Sequence, residues 1–274
     1  MTRYLSFEWF KFSKRWMPRI IVALLICLTA LAFWGTGTRS GERADLFLPR
    51  GWLAALTYCS FFAPFFWPAL GGSWAGNEYG WGTIRTALTR RPNRIEHVIA
   101  ALAILFVGLA IGIVAILIAG TAGGLVVSGL TGNSVWVGGV WSASFFGMLV
   151  KGTFSAWYVS AFFLLLAYAA ATIFRSAAVG IAFGIGSTLA QDVLMSIFLS
   201  FGGFWKSIAL HFPMNYANSM ITHVVGGGLI PGSNLASTGA NDPSAGQSLA
   251  ALAIYGAIFL ALTLYAARVR DVTA

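Results

Sequence analysis

Six apolar runs, each long enough to cross a bilayer, decide most of what this chain can become. A helix needs about 20 apolar residues to span a hydrocarbon core. Runs of that order lie at about 18–35, 51–74, 97–120, 150–174, 176–200 and 249–267. In lipid, backbone amides can be satisfied only within helices or closed barrels, and these runs far exceed the roughly 10-residue alternating strands of a barrel. The expected fold is an all-α polytopic membrane protein with six transmembrane helices. Composition agrees: the 274 residues are 58% hydrophobic and 9% charged, with mean hydropathy +0.79, whereas soluble domains carry about 25% charged residues.

Glycines interrupt the apolar pattern at two boundaries. The third run continues from Val98 to Leu130 through Gly120, Gly123, Gly124 and Gly129, and the third helix is expected to fray there. The stretch 135–150 is apolar but broken by Gly138, Gly139 and Gly147 and closed by Lys151. It reads as an external or re-entrant piece leading into the fourth helix.

Positive charge sets the orientation, because Lys and Arg concentrate on the cytoplasmic side. With both termini in the cytoplasm, the inner side holds Arg3, Lys11, Lys14, Arg15, Arg19, Arg85, Arg90, Arg91, Arg94, Arg175, Arg268 and Arg270; the outer side holds Arg39, Arg43, Arg50, Lys151 and Lys206. A seventh span would weaken this bias, so six are expected, in a cytoplasmic (plasma or inner) membrane. The net charge of +9 is spread over membrane-flanking segments, which fits anchoring to an anionic leaflet and not nucleic-acid binding. Cys27 and Cys59 fall within apolar helices and read as small core residues, implying neither a disulfide nor a zinc site.

The first 17 residues form an element of their own, ahead of a single transmembrane domain over 18–274. Aromatic and charged residues mix where a signal peptide would have a clean apolar core, so the segment is expected to be retained. Leu5, Trp9, Phe12 and Trp16 share one helical face, while Glu8, Lys11, Lys14 and Arg15 lie mostly on the other. That pattern predicts an amphipathic helix in the interface, its cations towards anionic lipid, with Pro18 allowing the turn into the first span. A frayed basic tail is the plainer alternative. At the opposite membrane side, 201–248 is the largest soluble segment: its aromatic first half is expected as interfacial helices, its Gly/Ser/Asn/Pro-rich second half as a loop.

Residues 76–94 face the cytoplasm under this topology. The polar pattern predicts a short helix opened by Asn77 or Glu78 and closed before Pro92. Tyr79, Trp81, Ile84 and Leu88 give it a mixed apolar and charged face, as suits docking to a soluble partner. A solvated loop whose arginines merely set topology is the other reading.

The stretch "NEYGWGTIRTALTRRPNR" (77–94) resembles the signature of ABC-2-type transporter permeases: a Glu, then Gly-Thr, a short helix with a Leu, then Pro and Arg before the next span. The matching residues are Glu78, Gly82, Thr83, Arg85, Leu88, Pro92 and Arg94. The Lys that the family often carries further on is missing from "IEHVIAALA" (95–103). "FRSAAVGIAFGIG" (174–186) is similar to the family's turn between the fourth and fifth spans, "ARVRDV" (267–272) to its ending, and the amphipathic start to its elbow helix.

The resemblance implies a six-span permease subunit of an ATP-driven exporter, paired as a dimer (expected to be of identical chains) and moved by separate cytoplasmic ATPase subunits. Residues 76–94 would be the coupling segment: Glu78 and Arg85 in polar contact with the ATPase, Tyr79, Trp81 and Leu88 in its groove, and Arg90, Arg91 and Arg94 against the leaflet. The chain has no G-x-x-x-x-G-K-[ST] motif, so this subunit would be non-catalytic, with ATP and its Mg held by the partner. In family members the second and fifth spans line the translocation path. Here Phe61, Phe62, Phe65, Phe66 and Trp67 give the second span an aromatic surface, which suits an amphipathic or hydrophobic cargo.

Other constellations are weaker. Asp192 is the only acid inside a predicted span. It reads either as a translocation-path or proton-coupling residue or as the sign that the fifth helix ends or kinks there, which Gly184 and Gly186 favour. His211, Met214, Met220 and His223 share one external segment without a compact chelating pair, so no metal site is expected. Gly180–Gly184 and Gly108–Gly112 have the small-xxx-small spacing of close helix contacts. No catalytic constellation emerges. A stand-alone gradient-driven transporter or membrane sensor is the alternative to the ABC reading.

Overall fold

In the computed structural model the described residues are 2–37, 46–82, 93–132, 142–225 and 243–269. They form helices α1 (Thr2–Lys14), α2 (Trp16–Gly37), α3 (Arg50–Gly80), α4 (Arg94–Thr131), α5 (Ala143–Phe174), α6 (Ala177–Phe201), α7 (Gly203–Leu210), α8 (Pro213–Val225) and α9 (Ala245–Val269), and no β-strand. Six of them, α2 to α6 and α9, are long and apolar enough to cross a membrane. The fold is an all-α polytopic membrane bundle.

The long helices are unequal. α3 and α5 are buried along most of their length and carry the core, in which Trp67, Trp74, Phe163 and Tyr168 are almost fully enclosed. α2, α6 and α9 leave Leu24, Val193, Ile254 and similar side chains exposed, as helices solvated by lipid should. α8 adds Met214, Ala217, Met220 and Ile221 to a second cluster with α5 and α9, so the first half of 201–248 is helical, as its sequence predicts. The loop expected over its second half lies mostly outside the described residues.

Several boundaries depart from the sequence reading. α4 does not fray: it runs unbroken through its glycines, and Gly120, Gly123 and Gly124 receive neighbours, while a Cβ on Gly129 would meet open space. A Cβ on Gly120 would stand 2.6 Å from that of Ala55, and one on Gly123 would stand 2.8 Å from the Phe33 ring. The second half of 135–150 is the start of α5, capped by the Ser142 hydroxyl accepting from the Phe145 amide at 3.2 Å. The second-span helix is longer than expected too. Residues 75–80 continue α3, so no separate helix opens at Asn77 or Glu78. The first break comes at Arg15, between α1 and α2, with Pro18 in the first turn of α2. Cys27 faces outward and only Cys59 is core.

α3 and α6 form the seam that positions one candidate site. A Cβ on Gly76 would lie 2.1 Å from the Ala177 nitrogen, one on Gly72 2.6 Å from the Ile181 nitrogen, and one on Gly184 2.5 Å from the Pro68 Cβ. Small residues let the two backbones approach this closely. The next contact is polar. Pro68 has no N–H to give the Pro64 carbonyl, and the Thr188 hydroxyl stands 3.4 Å from that oxygen and 3.2 Å from its own Gly184 carbonyl. Gly108 and Gly112 serve a different contact, beneath the Phe12 and Trp67 rings.

Candidate functional site

Five polar side chains converge where α1 crosses the ends of α3 and α4. Glu8 and Lys11 lie one turn apart on α1, Trp74 and Glu78 one turn apart on α3, and His97 sits in the first turn of α4. The i, i+3 and i, i+4 spacings put each pair on one helical face. Asn93 fixes the start of α4: its carbonyl oxygen accepts from the Glu96 amide at 3.2 Å, while its amide donates to the Glu96 carboxylate at 2.8 Å. This capping brings His97 to the cluster.

Glu8 is fully buried and Glu78 is 6% exposed. The Lys11 ammonium donates to both oxygens of Glu8, at 3.2 and 3.0 Å, and to Oε1 of Glu78. His97 Nε2 pairs with Glu78 Oε2 at 2.9 Å, and Trp74 Nε1 donates to Glu8 Oε2 at 3.0 Å. Two carboxylates therefore share one ammonium and are held by an indole and an imidazole. Arg15 supplies the second cation, with its guanidinium 4.7 Å from the Trp74 ring centre and 5.7 Å from that of Trp81. Burial pulls the Arg15 pKa below its ordinary value, while Glu78 and Glu8 draw it back up.

Buried charges are tolerable only when paired and hydrogen-bonded. Here α1 supplies one acid and the ammonium, α3 the other acid, and α4 the imidazole, so none of the three can leave without stranding charge. Apolar contacts reinforce the junction: the Phe12 ring fits beneath Gly108 of α4 and lies 5.9 Å from Trp74. Glu8, Glu78 and His97 each offer a donor atom within 4.8 Å of the others, a spacing that would suit a metal ion. The Lys11 ammonium already stands between the two carboxylates, and those ligands are committed to it.

The structure distributes the sequence-predicted residues unevenly. Glu78 and Tyr79 lie in the last turn of α3, with Glu78 buried and Tyr79 partly so. Trp81 is 67% exposed, and Gly82 takes a positive φ of 66° as the chain leaves the helix. Arg94 opens α4, half-buried. Thr83, Arg85, Leu88 and Pro92 lie outside the described residues, as do Arg90 and Arg91. Among the aromatics of α3, Phe61 is exposed, Phe62, Phe65 and Phe66 are half-buried and Trp67 is core. Asp192 lies inside α6, which continues to Phe201 without a break, so the helix neither ends nor breaks beside it.

No protein-family model and no curated protein matches this chain.

The sequence reading missed most of the cluster. The helical pattern puts Glu8 and Lys11 on a charged face with its cations towards anionic lipid, whereas both point inward and Trp9 and Trp16 are exposed. By sequence position His97 reads as a membrane-boundary residue. One signal was available: Glu8 is the lone acid in a basic, aromatic helix, and such an acid needs a buried cation more than a membrane surface does. In the segment 201–248, Met214 and Met220 are core residues, while His211 and His223 bond to the Ser207 and Pro243 carbonyls. The four form no chelating group.

Proposed function

We propose that this chain is the membrane subunit of an ATP-driven exporter of the ABC-2 kind, working as a dimer on a cytoplasmic membrane with a separate ATPase. The observation that carries the proposal is the Glu8–Lys11–Glu78–His97 cluster. It ties the amphipathic α1, the end of α3 and the start of α4 into one unit, and the connection between α3 and α4 is the segment that resembles the ATPase-coupling signature. A push on that segment would reach all three helices together, since each holds part of a shared set of buried charges. In this reading Glu78 anchors the coupling segment from within instead of touching the ATPase. Trp81, exposed beside it, offers the apolar contact.

Six spans and the excess of Lys and Arg at the α1 end favour both termini in the cytoplasm. The rival reading, a gradient-driven transporter, is favoured by Asp192, a carboxylate inside an unbroken span. Affinity purification of the tagged chain from native membranes in mild detergent, with mass spectrometry of co-eluting proteins, separates the two. Recovery of a P-loop ATPase with wild type, and its loss with Leu88→Asp, is the expected result. Recovery of the permease alone, under conditions that keep other ABC complexes intact, would refute the ABC reading.

A further inference from the structure

The contacts along the α3–α6 seam keep a fixed register. Gly76 meets Ala177, Gly72 meets Gly180 and Ile181, Pro68 meets Gly184, and Pro64 meets Thr188. Each step of four residues back along α3 is a step of about four forward along α6, as antiparallel helices require. Extended one step beyond the last of these contacts, the same register would bring Asp192 to the level of Ser60.

That level has the chemistry of a cation site. Pro64 cannot donate to the Ser60 carbonyl, just as Pro68 cannot donate to that of Pro64. At the Pro64 level, Thr188 brings a hydroxyl proton to the carbonyl. At the Ser60 level, the extended register puts the Asp192 carboxylate, a second acceptor, where Thr188 stands one step before. The Asp192 carboxylate is half-buried and has no hydrogen-bond or ion-pair partner among the described residues. Nine more residues of α6 follow it, about 13 Å of helix, so it lies well inside the span. Beside Ser60, the Phe61 ring is 43% exposed, and an aromatic face attracts an organic cation.

We infer that Asp192, with the Ser60 carbonyl and the Phe61 ring, forms a membrane-depth binding position for a lipophilic organic cation. The inference rests on the exporter reading and names the charge of its cargo. An intramembrane carboxylate is costly and normally faces a partner or cavity. Here two acceptors and an aromatic ring ask for a positive, partly apolar group. Transported amphipathic molecules bearing an amine or a quaternary centre have that character.

Binding measured without ATPase or ATP keeps this test separate from that of the exporter reading. The full-length protein in lipid nanodiscs would be titrated with tetraphenylphosphonium and with neutral triphenylphosphine oxide. Wild type is expected to bind the cation saturably, Asp192→Asn to lose roughly tenfold or more of that affinity, and Asp192→Glu to recover most of it. The neutral probe should distinguish none of the three. Equal affinity of wild type and Asp192→Asn for the cation, no saturable binding by wild type, or parallel loss of both probes would each overturn the assignment.

Discussion

Glu78 and Asp192 are both acids on transmembrane helices that pack against each other, yet the bundle treats them oppositely. Glu78 is buried at the end of α3 with Lys11 and His97 bonded to its two oxygens. Asp192 sits mid-helix in α6, half-buried, with no such partner among the described residues. Their surroundings give the two acids different capacities. A carboxylate with all its counter-charges supplied by other helices joins those helices and is costly to remove. A carboxylate left without them stabilises nothing in the resting protein and is available to something that arrives.

The largest effect is expected at Glu78. Glu78→Ala leaves the Lys11 ammonium and His97 short of an acceptor in a buried site, and removing one member of such a pair costs about 3–5 kcal/mol. Unfolding in detergent should show a loss of that size. Replacing Glu8 and Lys11 as well, by Gln and Met, should recover part of it, since the Lys11 ammonium and the Glu8 carboxylate bonded to it then leave together and strand less charge. The seam comes next. Gly76→Ala forces a methyl group against the Ala177 backbone and should cost about 1–3 kcal/mol, as overpacking does, by the same unfolding assay.

Asp192→Asn should move the other way, raising stability by about 1 kcal/mol, because it removes a charge from the span without breaking a pair. A loss comparable to that of Glu78→Ala would mean that Asp192 has a structural partner, and the contrast would fail. The smallest expected effect is at Gly186, where a Cβ would meet open space. Gly186→Ala should fall within about 0.5 kcal/mol of wild type or be slightly stabilising, confirming that the Gly76 effect comes from the seam and not from helix propensity.

The six spans were legible because apolar length is a local property of sequence and lipid leaves the backbone few options. What failed was also local in form. The glycines of α4 read as a fraying signal when taken alone, but Phe33 and Ala55 come from other helices to fill the space they leave. The ion cluster was hidden for the same reason. Glu8, Glu78 and His97 are separated by 70 and 19 residues in sequence, and only the crossing of α1 over α3 and α4 shows that the charged face of α1 turns inward. The sequence pointed to Glu78 through its resemblance to a coupling signature, but the resemblance faced it towards a partner protein, whereas the fold uses it internally.

Buried charge holds α1, α3 and α4 together as one unit. Amide hydrogen exchange on wild type and Glu78→Gln in nanodiscs would reveal that coupling. The α1 amides of residues 2–14 are expected to lose protection in Glu78→Gln, together with the first turns of α4, while α6 is unchanged. Unaltered protection of α1 would contradict it, showing that the helix is held by its aromatic contacts and the membrane surface alone.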